Sequence, residues 1–302
     1  MPSTHHPPSG GRRKKMVPVL CCRGGSAEWR TGTFFFRRAA WAVLLACAVC
    51  GVGSSAAQDA IAVAPHSIER LSESDQAMLR DLLQRAEPLI SLRKSDATIN
   101  LLTFEELYAA LLPPQRAFLD WMRSLTPEQV GGVRVPLGPA PSSSSVRFER
   151  VEPQVYTDKN GKHPLDPQYL PAPVLAAYRR MMDAMEREIG RRLFVDSGYR
   201  APAYQLYLFC FYLPNHDMSI RETNRHVALP GFSEHGAPQR QAIDFINADG
   251  INGDGQPEAF EALPEYRWLE ERAGEHGFVL SYPRDNALAT SFEPWHWHYE
   301  SK

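Results

Sequence analysis

The stretch FEPWHWHYE, residues 292 to 300, concentrates side chains that can do metal and acid–base chemistry. It holds Glu293, His296 and His298 among aromatic residues. If residues 295 to 299 form a strand, the alternation of side chains places both histidines on one face and the aromatic side chains on the other. The pattern therefore predicts a strand whose aromatic face packs on the core and whose other face holds a histidine rigidly for a metal.

Two upstream stretches contain residues that could complete such a metal site: VDSGYRAPAYQ, residues 195 to 205, and LPGFSEHGAPQRQAIDF, residues 229 to 245. A catalytic zinc ion takes three protein ligands from His, Asp or Glu and keeps one position open. The candidate ligands are His235, Asp244, His296 and His298. Glu293 is the candidate general base, since a base must reach the attacking water without binding the metal. By spacing alone, ordinary core histidines explain the pattern equally well, and a surface salt bridge explains Arg200.

Three ordered motifs resemble those of the VanY-type zinc D-alanyl-D-alanine carboxypeptidases, a family in one fold group with lysostaphin and hedgehog domains. The motifs are SGYR-x4-Q, PGFSEH...AIDF and GFVLSYP...FEPWH. The resemblance implies a zinc ion held by His235, Asp244 and His296. It also implies Glu293 as the catalytic base and Arg200 as the arginine that binds substrate or stabilises the transition state. The residues it places along the substrate cleft are Gln205, Ser233 and Tyr199.

The sequence departs from the family pattern at two places. The family usually has six residues between its ligand histidine and aspartate, whereas GAPQRQAI, between His235 and Asp244, makes eight. The family also often has arginines where this chain has Ser281 and His298. We therefore expect altered substrate contacts, and His298 is an alternative ligand to His296.

The resemblance implies a zinc carboxypeptidase that removes a C-terminal residue, D-alanine, from peptidoglycan stem peptides. One alternative is an endopeptidase that cuts cross-links in the same polymer. A second alternative, of a different class, is a non-catalytic wall-binding module that keeps the fold. The presence of Glu293 argues against the binding module, because a binder needs no general base.

The order of the helices and strands that must position these residues predicts an α+β fold. We expect a small antiparallel sheet with flanking helices to form the zinc peptidase domain, and a helical segment to precede it. Helices are predicted from SESDQAMLRDLLQRAEPLI, with Ser72 or Ser74 as cap, and from TFEELYAALL, with a Thr103–Glu106 capping box. A third is predicted from PPQRAFLDWMRSL and a fourth over residues 173 to 193, and VRFERVEPQVY predicts a strand. INADGINGDGQPE predicts a turn-rich insertion at one rim of the cleft, since it fails the calcium-loop register.

The domain organisation follows from composition. Residues 1–57 predict a basic n-region with a signal peptide or anchor, 58–130 a helical segment, 131–146 a linker and 147–302 the peptidase domain. We expect an exported protein of the periplasm or cell envelope that meets a membrane only through an N-terminal anchor. The net charge of −2 gives no reason to expect a nucleic acid partner. Cys210 is expected to be a buried small hydrophobe.

Overall fold

The computed structural model describes residues 66–131, 146–286 and 291–300. The predicted signal peptide or anchor and nearly all of the predicted linker lie outside these residues. All described residues belong to one compact unit. None of the helices in these ranges has the length and apolar character that a membrane span requires.

The helical segment contains three α-helices: α1, Glu73–Ser95; α2, Phe104–Ala109; and α3, Pro113–Ser124. A short 3-10 helix, Ile99–Leu101, lies between α1 and α2. The side chain of Ser72 accepts the Asp75 N–H at 3.1 Å, so Ser72 is the cap of α1. The predicted capping box at the start of α2 is present. These local signals are reliable because the capping groups satisfy backbone donors that would otherwise have no partner.

Four short strands and one long helix begin the second half of the chain. β1, Phe148–Arg150, pairs antiparallel with β4, Tyr169–Pro171, and β2, Val155–Asp158, pairs antiparallel with β3, Gly161–Pro164. The stretch VRFERVEPQVY thus supplies two strands in two sheets. The helix α4 covers Ala172–Ile189. Its predicted end at residue 193 is wrong, because Gly190 adopts a left-handed conformation with φ of 66° and stops the helix.

The central sheet has four antiparallel strands in the order β5-β6-β8-β7. These strands are β5, Leu193–Ser197; β6, Ala242–Asn247; β7, Phe278–Leu280; and β8, His296–Tyr299. The remaining helices are α5, Pro202–Tyr212; α6, Ile220–Asn224; α7, Pro257–Glu261; and α8, Pro264–Arg272. Further 3-10 helices cover Leu213–His216, Glu234–Gly236, Pro238–Arg240 and Ala273–His276. The architecture is α+β, as predicted.

Two hydrophobic clusters hold these elements together. One joins buried side chains of α1, α2 and α3 to α5, including Leu82, Leu107, Leu119 and Phe209. The other packs α4 and α8 against one face of the central sheet. The first cluster packs the helical segment against α5, the helix that directly follows the SGYR motif.

Strand register separates the core face of the sheet from the site face. Ile243 pairs with Trp297, and both belong to the sheet's core cluster. The next pair along the two strands is Asp244 with His296. Because side chains alternate along a strand, the pairing that buries Trp297 against the core also places Asp244 beside His296 on the opposite face.

Candidate metal centre and active site

Three potential ligands converge on the site face of the sheet. Asp244 lies in β6, His296 begins β8, and His235 lies in the 3-10 helix Glu234–Gly236. One donor atom from each of these residues lies within 4.8 Å of the others. Asp244 Oδ2 is 3.1 Å from His235 Nε2, and Asp244 Oδ1 is 2.7 Å from His296 Nδ1. The structure therefore brings together the three residues that the family resemblance assigns as ligands.

The outer nitrogen of each histidine is held by a second partner. His235 Nδ1 donates to the Gly198 carbonyl at 2.8 Å. His296 Nε2 donates to Glu234 Oε2 at 2.9 Å. These bonds orient the rings so that His235 Nε2 and His296 Nδ1 face the same carboxylate, which is the arrangement that zinc-binding histidines require. Two imidazole nitrogens and one carboxylate fit the ligand chemistry of a catalytic zinc ion.

Burial and neighbouring charges shift the pKa values of these side chains in opposite directions. Burial lowers the pKa of His235 more than the neighbouring Asp244 raises it. Burial also disfavours a charged His296, but Asp244 and Glu234 outweigh it and raise its pKa to about 10. Despite the burial of Asp244, the two histidines hold the pKa of its carboxyl well below the usual range. Asp244 therefore keeps a buried negative charge, which favours a bound cation.

The long loop between His235 and Asp244 keeps both residues in place. A 3-10 helix, Pro238–Arg240, takes up the additional length before β6 begins. Within it, Arg240 Nε donates to Glu234 Oε1 and Arg240 Nη1 to Glu300 Oε1, both at 2.9 Å. The sequence analysis missed the roles of Glu234 and Arg240. A carboxylate directly before a candidate ligand histidine was the signal available.

His298 lies outside the donor group that His235, Asp244 and His296 form. It pairs with Ala242 across the strands rather than with Asp244. Its Nδ1 is hydrogen-bonded to Ser281 Oγ at 2.7 Å, and its Nε2 lies 3.0 Å from Glu300 Oε1. The two positions where the family often has arginine thus contact each other, and His298 Nδ1 is 3.7 Å from Glu234 Oε1.

Glu293 lies next to the donor group at the turn before β8. Its Oε2 is 3.9 Å from His296 Nδ1, and its side chain is 30% exposed. Its backbone N–H donates to the Tyr282 carbonyl at 3.1 Å, and its own carbonyl accepts the His296 N–H at 3.1 Å. The backbone is thereby fixed on both sides while the carboxylate remains accessible from solvent.

Arg200 is held on the other side of His235. Its backbone N–H donates to the His235 carbonyl at 2.9 Å. Its Nη1 donates to Gln205 Oε1 and its Nη2 to Ser197 Oγ, both at 2.9 Å. Gln205 is 2% exposed, and its Nε2 donates to the Ala228 carbonyl at 2.6 Å. In this structure Gln205 therefore orients Arg200, and its predicted contact with substrate stays a prediction.

The other two predicted cleft residues are nearly buried. The rings of Tyr199 and Phe148 pack at an angle of 32° with centroids 4.0 Å apart. Burial raises the pKa of Tyr199 to about 12, so the phenol stays neutral. Ser233 directly precedes the 3-10 helix that carries His235 and is 8% exposed. Their contacts with substrate also stay predictions.

The turn-rich insertion packs beside β8. At Gly253, φ is +80°, and an added Cβ would lie 2.3 Å from a ring carbon of Trp295. Gly250 makes a similarly close approach to Tyr156. The insertion thus packs against Trp295, directly before β8, and against Tyr156 of β2.

The comparisons with known proteins agree on one family. The family model VanY, D-alanyl-D-alanine carboxypeptidase, matches residues 167–302. YodJ of Bacillus subtilis (strain 168) is 31% identical over 140 residues, which cover 45% of this chain and 48% of that protein. VanXYC of Enterococcus gallinarum, a bifunctional D-Ala-D-Ala dipeptidase and D-Ala-D-Ala carboxypeptidase, is 32% identical over 133 residues, covering 43% and 67% respectively. This chain belongs to the VanY D-alanyl-D-alanine carboxypeptidase family.

The coverage of these relatives is partial. The chain spans about half the length of YodJ and 26% of a D-alanyl-D-alanine carboxypeptidase of Enterococcus faecalis, to which it is 42% identical over 80 residues. Among solved structures, a VanY D,D-pentapeptidase from a VanB-type resistance cassette, in complex with Zn(II), is 25% identical. That match covers 56% of this chain and 86% of the other, with a TM-score of 0.40.

Proposed function

We propose that this chain is a zinc-dependent carboxypeptidase that removes a C-terminal residue, D-alanine, from peptidoglycan stem peptides. The observation that carries the proposal is the convergence of His235, Asp244 and His296, with Glu293 on one side and Arg200 on the other. Membership of the VanY family supports the same reaction class.

His235, Asp244 and His296 would hold the zinc ion through one imidazole nitrogen each and a carboxylate oxygen. When bound there, zinc supplies a Lewis acid that polarises the scissile carbonyl and lowers the pKa of a water molecule to about 7. The outer hydrogen bonds to Gly198 and Glu234 keep the two rings in the orientation that this chemistry needs.

Glu293 acts as the general base and then as the general acid. Its carboxylate takes a proton from the attacking water and delivers it to the nitrogen of the departing residue. The position suits this work, because the carboxylate is near the donor group and partly open to solvent. A group that carries a proton between water and substrate must be both close to the reacting atoms and free to change protonation state.

Arg200 anchors the terminal carboxylate of the substrate or the oxyanion that develops during attack. Its two terminal nitrogens donate to neutral oxygens of Gln205 and Ser197, so these bonds orient the guanidinium without neutralising it. The positive charge is therefore available for a carboxylate, to which arginine can donate two parallel hydrogen bonds. A requirement for that carboxylate is what separates a carboxypeptidase from an endopeptidase.

The proposed place of action is the cell envelope, outside the cytoplasmic membrane. Peptidoglycan stem peptides lie there, and the basic and apolar composition of residues 1–57 predicts export.

The test measures zinc content and the products formed from a stem pentapeptide, by mass spectrometry, for wild type and Glu293→Gln. We expect one zinc per chain in both proteins, release of one terminal D-alanine by wild type, and a loss of about 10²- to 10⁴-fold in the variant. Glu275→Gln is the matched control, since Glu275 pairs with Arg272 at the surface.

Full metal-dependent activity in Glu293→Gln would overturn the mechanism. Wild type that cleaves cross-linked fragments but not the pentapeptide would instead be an endopeptidase. Wild type that binds wall fragments and, with zinc added, hydrolyses none would be a binding module.

A further inference from the structure

The helical segment lies outside residues 167–302, which match the family, yet it contacts the SGYR loop directly. The contact is made by Asn100, in the 3-10 helix between α1 and α2, which is 8% exposed. Its backbone carbonyl accepts the Ala201 N–H at 2.9 Å. A residue of the helical segment thus holds the backbone directly after Arg200.

The side chain of Asn100 reaches the same loop through a second residue. Its Nδ2 donates to the Pro167 carbonyl and to Gln168 Oε1, both at 3.2 Å. Gln168 Oε1 also accepts the Gly198 N–H at 3.0 Å. Asn100 and the Asp166 carbonyl, which accepts from Gln168 Nε2 at 3.4 Å, together fix the amide orientation of Gln168, and only that orientation presents an oxygen to Gly198.

The four backbone N–H groups from Gly198 to Ala201 each have a partner, and these partners come from three parts of the fold. Gly198 donates to the Gln168 side chain and Ala201 to the Asn100 carbonyl. Between them, Tyr199 donates to the Tyr169 carbonyl at 2.7 Å and Arg200 to the His235 carbonyl at 2.9 Å. Asn100 thus acts at both ends of the loop, directly at one end and through Gln168 at the other.

This loop sets the orientation of two site residues at once. The Gly198 carbonyl accepts the hydrogen bond from His235 Nδ1, which turns His235 Nε2 towards Asp244. Arg200 is part of the loop itself. A shift of the loop would therefore move a metal-ligand ring and the substrate-binding guanidinium together.

We propose that Asn100 is a positioning residue for the active site, which makes the helical segment, outside the residues that match the family, a working part of that site. Its effect on catalysis rests on the proposed function, whereas its effect on the loop does not.

The test compares wild type with Asn100→Asp and Asn100→Ala. Asn100→Asp keeps the shape but turns an oxygen towards the Pro167 carbonyl and Gln168 Oε1, where the native nitrogen donates. Asn100→Ala removes both side-chain bonds without adding a charge, and the bond from the Ala201 N–H to the backbone carbonyl remains. In both variants we expect faster amide hydrogen exchange over the SGYR loop and weaker zinc binding in a chelator competition. For the stem pentapeptide we expect KM to rise and kcat to fall, with kcat/KM reduced about 10- to 100-fold.

Gln115→Ala is the matched control. Gln115 is also a buried amide of the helical segment, 3% exposed, but its side chain accepts the Leu112 N–H within the segment rather than reaching the loop. We expect it to lower the melting temperature while leaving loop exchange, zinc affinity and kcat/KM as in wild type.

Unchanged loop exchange and zinc affinity in both Asn100 variants would overturn the proposal. So would a Gln115→Ala variant that loses activity and loop protection to the same extent, because general destabilisation would then explain both. If wild type hydrolysed no stem peptide, the proposed function would fail, and loop exchange and zinc affinity would still decide the role of Asn100.

Discussion

Glu234 provides the sharpest test of how the metal centre is built. Its Oε2 accepts from His296 Nε2 at 2.9 Å and its Oε1 from Arg240 Nε at 2.9 Å. Glu234 and His296 are 7% and 5% exposed, so solvent screens their interaction little. We predict that Glu234→Gln weakens zinc binding, because it removes a full charge next to the ligand ring but keeps an oxygen of similar shape.

The expected size follows from two opposing effects. Loss of an outer partner of a ligand histidine typically weakens metal binding about 10- to 100-fold, or about 1.4 to 2.8 kcal/mol. The charge of Glu234 also helps a proton to compete for His296 Nδ1, but a divalent cation carries twice the charge of that proton, so the loss of zinc affinity dominates. We expect about 10-fold for Glu234→Gln and about 100-fold for Glu234→Leu, which loses the acceptor as well.

The assay is a competition between the protein and a chelator of known affinity, at fixed pH and ionic strength. Glu300→Gln is the control, since Glu300 is the other carboxylate on Arg240 but its side chain is 54% exposed. Its zinc affinity should stay within about threefold of wild type. Wild-type affinity in both Glu234 variants would refute the argument that this outer carboxylate positions His296.

Three further predictions concern protons, close packing and the core. Because the two neighbouring carboxylates outweigh burial and raise the pKa of His296 to about 10 in the metal-free protein, zinc must displace about one proton near pH 7. Apparent zinc affinity should therefore fall about tenfold per unit as the pH decreases from 8 to 6, and calorimetry in buffers of different ionisation enthalpy should detect the released proton. Gly198→Ala should lower the free energy of unfolding by about 1–3 kcal/mol in urea titrations, because the added Cβ would lie 2.7 Å from the Tyr169 carbonyl oxygen, whereas Gly274→Ala, which meets nothing within 4 Å, should change it little. Trp297→Ala, at a side chain that is 4% exposed, should lower the free energy of unfolding by about 3–5 kcal/mol, and a loss below 1 kcal/mol would contradict its place in the core.

The parts of the fold that sequence predicted well are those set by local chemistry. The Ser72 cap, the capping box before α2 and the proline at the start of α3 each satisfy or avoid a backbone donor within a few residues, so they can be identified from the chain alone. The end of α4 was also marked locally, by Gly190, but Leu193 lies four residues after Ile189 and so fits the helical spacing, although it begins β5.

In the candidate site, the sequence likewise predicted the ligands but not the contacts that support them. Residue types and motif order singled out His235, Asp244 and His296, and the strand pattern predicted the two faces of β8. The supporting contacts were not predictable, because Asn100 is far from Gly198 in sequence and is linked to it only through Gln168 in the folded chain. Arg240 belongs to the eight-residue loop between His235 and Asp244, and Glu234 directly precedes His235. In the structure the longer loop supplies Arg240, whose guanidinium donates a hydrogen bond to Glu234.

The pairing of Asp244 with His296 also bears on how the protein would be turned over. β8 is four residues long and lies between β6 and β7, so its hold on the sheet rests on a short stretch of pairing with each neighbour. With zinc bound as proposed, the ion would fasten β8 to β6, and the binding free energy would add to the resistance of this strand to detachment. A chain that lost its ion would then release β8 more often and uncover Trp297, the kind of apolar segment that proteases and chaperones engage. When zinc is depleted, molecules without the ion would be the ones selected for removal.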